Sequence, residues 1–110
     1  MDAILRQLCD LDGVGGALVL SRDGHPLASV MEDDRAQTHA TQAAAIFALL
    51  DRYTRAVAVG SPRQLVVETP TATLVITVAN DMLLLLEASA DAPLGRMKLA
   101  AAQAARLLVR

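Results

Sequence analysis

Histidine, cysteine, serine and clustered carboxylates are the side chains through which a small protein does covalent, acid–base or metal chemistry, and in this chain each stands apart from the others. His25 lies in the turn-forming run Arg22-Asp23-Gly24-His25 and His39 near the start of a long helical pattern. Neither has a sequence neighbour that completes a metal-ligand or nucleophile motif. His25 therefore reads as a solvated turn residue, and His39, which falls on an apolar helix face, as a hydrogen-bonded interface residue. The single Cys9 supplies neither a disulfide framework nor a thiolate metal cage, and within a short apolar helix it reads as a small buried hydrophobe. Glu32-Asp33-Asp34 precede the long helix, where carboxylates cap the end and favour the macrodipole. Ser21, Ser29, Ser61 and Ser89 sit at strand ends or turns without the Gly-x-Ser-x-Gly elbow of a hydrolase. Gly13-Val14-Gly15-Gly16 follows a helix and precedes a strand, with no lysine after it, whereas a phosphate loop runs from strand to helix through Gly-Lys-Ser/Thr. No catalytic, cofactor-binding or metal-ligating residue is expected, and the function is expected to reside in a surface.

Composition narrows the kind of surface. A chain of 110 residues that is 54 % apolar suffices for one domain spanning residues 1–110, with a core of Leu, Val, Ile and Ala. Phe47 and Tyr53 are its only aromatic rings, too few for base stacking. A net charge of −2 with scattered arginines lacks the basic stripe of a nucleic-acid binder. The longest apolar run, Met82 to Leu86, is far short of the ~20 residues that span a bilayer. Met1-Asp2 does not open a signal-peptide pattern. A soluble, cytoplasmic protein with no membrane insertion is expected.

The elements follow from periodicity and breakers. Asp2 is expected to cap a short helix through Leu11, with Gly13 at its C-terminal end. Gly16–Ser21 and Pro26–Val30 are two apolar runs around Asp23-Gly24, a strong hairpin signal; Pro26 places the second at a sheet edge. A long helix from Ala36 to Val59 ends near Gly60, before Ser61-Pro62. Gln64–Thr69, Thr73–Val78 and Met82–Glu87 form a meander. In its second strand Leu74, Ile76 and Val78 make the greasier face. Its third is apolar from Met82 to Leu86, as a strand buried on both sides requires, and is expected in the middle of the sheet. Asp91 and Pro93 announce a last helix. The fold class is α+β: one five-stranded, mostly antiparallel sheet, with the long helix on one face and the N- and C-terminal helices on the other.

The long helix carries the functional reading. At about 100° per residue, Ile46, Phe47, Leu49, Leu50, Tyr53 and Val57 span an arc of about 160°, opposite Gln37, Thr41, Asp51, Arg52 and Arg55. A helix packing once on a sheet needs roughly 100°. The excess implies a second contact, with a copy of itself or deeper within its own monomer. For a homodimer the interface residues are Ile46, Leu49, Leu50 and Tyr53 of the helix with Leu65, Val66 and Val67 of the short, weakly charged third strand, whose exposed edge invites pairing. The strip left outward is Thr38, Thr41, Ala45, Ala48, Arg52 and Arg55, small at its first half and basic at its second.

The run from Val14 to Ser29, VGGALVLSRDGHPLAS, followed by the alanine-rich helix ending at Gly60, the Gln64–Glu87 meander and the helix after Asp91-Ala92-Pro93-Leu94-Gly95, resembles the Roadblock family of dynein light chains and bacterial MglB-type proteins. The resemblance covers essentially the whole chain. It implies a central strand at Met82–Glu87, and a homodimer joined through the long helices and the third strands. It also implies regulation or scaffolding of a small Ras-like GTPase, since bacterial members promote GTP hydrolysis by a partner without binding nucleotide. No invariant catalytic motif transfers to a position here. The leading reading is a non-enzymatic GTPase regulator; a structural adaptor dimer is the alternative, and a small-molecule sensor the third.

Overall fold

The computed structural model describes residues 1–109. The elements are α1 (Asp2–Cys9), β1 (Val14–Ser21), β2 (Pro26–Val30), α2 (Asp33–Ala56), β3 (Gln64–Glu68), β4 (Ala72–Ala79), β5 (Met82–Ser89) and α3 (Leu94–Leu108). The strands make one antiparallel sheet in the order β2-β1-β5-β4-β3. The leucine-rich β5 lies at its centre, as its double-sided apolarity requires. Pro26 opens β2 at one edge, next to an irregularity between Val19 and Leu20, so its missing N–H costs no interior ladder bond.

Two apolar layers form, one on each side of the sheet. Leu84, Leu86 and Ala88 of β5 join Ala17 and Val19 of β1, Leu5 and Leu8 of α1, and Met97 and Ala101 of α3. The alternate residues Leu83 and Leu85 face Leu18, Leu20, Ile76 and the α2 stripe Ala36, Ala40, Ala43, Ala44 and Phe47. Alanines at this spacing let α2 approach the sheet closely, and Phe47 alone supplies bulk. It is 1 % exposed, and the Arg22 guanidinium lies 6.0 Å from its ring centre.

Several local expectations are corrected. α2 starts at Asp33, with Glu32 at the N-cap position and the carboxylates of Asp33 and Asp34 inside the first turn, where the dipole favours them. It ends at Ala56, before the expected Val59 or Gly60. Ala58 takes a left-handed conformation (φ 62°), and the Ala58 and Val59 N–H groups donate to the carbonyls of Arg55 and Thr54 at 3.0 Å each. This is the Schellman closure that glycine normally provides, which is why Gly60 misled. Asp2 and Asp91 cap nothing: Met1 and Pro93 occupy the N-cap positions, without side-chain capping bonds. α1 stops at Cys9 rather than Leu11, and Gly13 (φ 83°) instead leads the chain into β1.

The burial of β4 does not follow greasiness alone. Thr73, Val75 and Thr77 are buried, and of the greasier face Ile76 is buried while Leu74 and Val78 are only half-buried. α3 packs closely along β4 on the threonine side, whereas α2 lies chiefly over β1 and β2. Coverage by a helix, rather than greasiness, sets burial here. The Thr77 hydroxyl is made tolerable inside by a 2.9 Å bond from the Gln64 amide, which also reaches the Lys98 carbonyl at 3.2 Å.

Candidate functional site

Because α2 crosses the β1–β2 side of the sheet, its second half extends past its own support. The buried stripe stops at Phe47; Leu50, Asp51 and Thr54 are half-buried, and Arg52, Tyr53 and every residue from Arg55 to Gly60 are exposed. On the flank turned toward β3, Ile46, Leu49, Tyr53 and Val57 are 46 %, 52 %, 62 % and 51 % exposed. Ile46, Leu49, Leu50 and Tyr53 meet Leu65 of β3 around a hollow of about 270 Å³. Five of the residues expected at a dimer interface are thus brought together in one apolar cleft. Of the others, Val67 shares the α2 side with Leu65, since alternate strand residues share a face. Val66 instead packs into the layer beneath α1 and α3. β3 is an edge strand whose outer side pairs with nothing among the described residues.

The six residues of the outward strip, Thr38, Thr41, Ala45, Ala48, Arg52 and Arg55, are all exposed. They differ in freedom. Thr38 donates to the Asp34 carbonyl at 3.0 Å and Thr41 accepts from Gln37 at 3.2 Å. Arg55 is held by Asp51 one turn earlier at 3.0 Å. Arg52 pairs with no carboxylate among the described residues, and with Leu49, Tyr53 and Ala56 it borders a second shallow hollow. Leu49 and Tyr53 therefore form a ridge between the apolar cleft and the basic strip.

Glu87 is the residue that sequence reasoning missed, having been read only as the end of the central strand. It shares the face of Leu83 and Leu85, beneath α2, and its side chain is 17 % exposed. Arg35 donates to it through Nε at 2.7 Å and also through Nη2. His39 Nε2 lies 3.1 Å from the same carboxylate. The Arg35 guanidinium, bonded to Glu87, holds the carboxyl below the usual glutamate range against the opposing effect of burial, and His39 adds to the lowering. The triad ties the first half of α2 to the central strand. A charged residue ending an otherwise apolar run, on the face the long helix must cover, was the signal available.

The remaining chemistry-bearing residues stay scattered. His25 is an exposed turn residue 3.8 Å from Asp23. Cys9 is half-buried, not buried, and desolvation followed by Asp10 pushes its thiol up, away from the reactive thiolate. No three His, Cys, Asp or Glu side chains come together as a metal site among the described residues. Two glycines of this run serve packing: a β-carbon at Gly13, before β1, would sit 2.8 Å from Ala92 Cβ and Ser89 Oγ, and one at Gly16, within β1, would sit 3.1 Å from Met31 Cε, whereas Gly15 faces open space. Among the described residues no helix is long and apolar enough to cross a membrane.

The sequence profile of the Roadblock/LC7 domain family matches residues 1–88. A search of curated proteins finds no match. Among solved structures, a Roadblock/LC7 domain from Streptomyces avermitilis superposes with a TM-score of 0.92 at 22 % identity, over 98 % of this chain and 93 % of that one. An MglB described as having a tetrameric arrangement superposes at 0.89 and 25 % identity, over 98 % and 84 % of the two chains. The gliding protein MglB of Thermus thermophilus gives 0.88 and 24 %, over the same shares. With a profile match over most of its length and the same arrangement of sheet and helices, this chain belongs to the Roadblock/LC7 domain family.

Proposed function

We propose that this protein is a homodimeric, non-enzymatic regulator of a small Ras-like GTPase, acting in the cytoplasm by surface binding. The observation that carries the reading is the apolar cleft between α2 and Leu65, open beside the unpaired edge of β3. A second copy placed across a two-fold axis lays α2 against α2 and continues the sheet through β3. Fully burying a side chain of this size is worth about 1.5–3 kcal/mol. Covering the exposed half of Ile46, Leu49, Tyr53 and Val57 in two copies therefore yields roughly 8 kcal/mol gross. Association itself costs about 4–15 kcal/mol. The helix flank alone is close to break-even, and the strand pairing, with Leu65 and Val67 beneath it, decides the affinity.

With that flank covered, the outward strip from Thr38 to Arg55 remains accessible. Its small first half admits close approach, and Arg52, lacking a carboxylate partner among the described residues, suits an acidic and partly apolar GTPase face. The relatives named MglB support a GTPase partner, and the tetrameric one supports self-association. The test is GTP turnover by a candidate small GTPase with and without this protein, together with a pull-down. A changed turnover rate identifies a regulator, and binding without a rate change identifies the adaptor alternative. Arg52→Glu combined with Ala48→Glu should abolish GTPase binding and leave the fold intact, because exposed substitutions usually cost within about 0.5 kcal/mol. Undiminished binding by the folded double variant would move the partner surface elsewhere.

A further inference from the structure

On the opposite side of the sheet, the C-terminal half of α3, the start of β3 and the end of β4 with its turn enclose a hollow of about 520 Å³. Its apolar part comes from Ala102, Ala105 and Val109, and its rim carries Arg63, Arg106, Thr77 and Asn80. Neither guanidinium meets a carboxylate among the described residues, and Asp81 in the adjoining turn does not line the hollow. The Thr77 hydroxyl already accepts from Gln64, and its own proton finds no acceptor among the described hydrogen bonds. A third arginine, Arg22, donates to the Asn80 carbonyl at 3.0 Å, fixing the turn from the other side. The cleft therefore offers two charged forks, a neutral hydroxyl donor and an amide, set against an apolar wall.

We propose that this hollow binds a phosphate monoester. The guanidinium fork matches phosphate oxygens in pairs, and two of them balance the charge of close to −2 that a monoester carries near neutral pH. The hydroxyl and amide supply further donors, and the organic part of the ester rests against Ala102, Ala105 and Val109. The hydration lost from an exposed arginine is recovered best by a bidentate anion. The last carbonyls of α3 end beside the hollow and oppose the positive field, which sets the affinity in the weak range of a metabolite or a lipid headgroup. The site is independent of the α2 cleft and does not require a GTPase partner.

The experiment follows amide resonances of the full chain during titration with phenyl phosphate, with inorganic phosphate and phenol as controls. Saturable shifts confined to the amides around Thr77–Asn80 and Ala102–Val109, with a Kd of about 1 mM or tighter at low salt, are expected for phenyl phosphate. Inorganic phosphate should bind more weakly, and phenol not at all. Arg63→Gln with Arg106→Gln, both on exposed positions, should weaken binding by about tenfold or more while the thermal transition stays in place. Co-sedimentation with phosphatidic acid vesicles, lost in the same double variant, would mark a lipid as the source of the phosphate; binding to phenyl phosphate without vesicle binding would mark a free metabolite. The absence of saturable shifts together with the absence of vesicle binding, or affinity unchanged by the double variant, would overturn the proposal.

Discussion

Replacing Glu87 by glutamine should destabilise the protein by about 1–2 kcal/mol at neutral pH and remove a defined part of its acid sensitivity. The carboxylate is 17 % exposed and takes two bonds from Arg35 and one contact from His39. A hydrogen bond to a charged group is worth about 1.5–3 kcal/mol when shielded, but Arg35 is 58 % exposed, and solvent screening lowers the return from that pair. Glutamine keeps the volume and one acceptor, so the loss measures charge rather than packing. Because the folded carboxyl titrates below its unfolded value of about 4.3, the stabilisation is fully present above that value. It declines as pH falls toward the lower folded value and is gone beneath it. Urea unfolding from pH 7 downward, at one protomer concentration so that any association stays constant, should show wild type and Glu87→Gln converging at low pH. The double-mutant cycle with Arg35→Ala should give a favourable coupling that shrinks with added salt. A variant within about 0.3 kcal/mol of wild type at neutral pH, or curves that stay parallel to the acid limit, would refute the assigned role of Glu87.

Leu49→Glu or Tyr53→Glu should shift the protein to monomer in sedimentation velocity without unfolding it, because both side chains are about half exposed in a single chain; a tight monomer for the unmodified protein would remove the basis for the dimer. Ala58→Gly should stabilise by roughly 0.5–1 kcal/mol and raise Tm by about 2–4 °C, since a left-handed alanine is strained where glycine is not and the exposed methyl packs on nothing. An unchanged or lower Tm would mean that unfolded-state entropy outweighs the relief. Calorimetric titration with GTP and with GDP should give no micromolar binding, because Gly15 and Gly16 lie within strand β1 rather than in a loop that opens a helix, and no lysine follows them as a phosphate loop requires; a micromolar site there would contradict that reading.

Much of this fold is legible in one sequence because its signals are local. The Asp23-Gly24 turn, the two-sided apolarity of Met82–Leu86 and the alanine spacing of α2 each state their own geometry, and together they specify a central β5 with helices on both faces. The over-wide apolar arc of the long helix also announced, from residue types alone, that one sheet contact would not cover it.

Only the tertiary structure decided which parts are left uncovered. Periodicity marks two faces on β4 but cannot say that α3 follows the threonine face while α2 lies across β1 and β2, so the greasier Leu74 and Val78 stay half-buried and Thr73 and Thr77 are enclosed. Nor can it place Glu87 under Arg35 and His39, or bring Arg63 and Arg106 to one hollow, because each pairing joins residues more than 40 positions apart. The early end of α2 turned on Ala58 accepting a left-handed backbone that its residue type disfavours. Local pattern is a property of neighbours along the chain; coverage, and the cleft it leaves beside Leu65, is a property of how whole elements share one sheet.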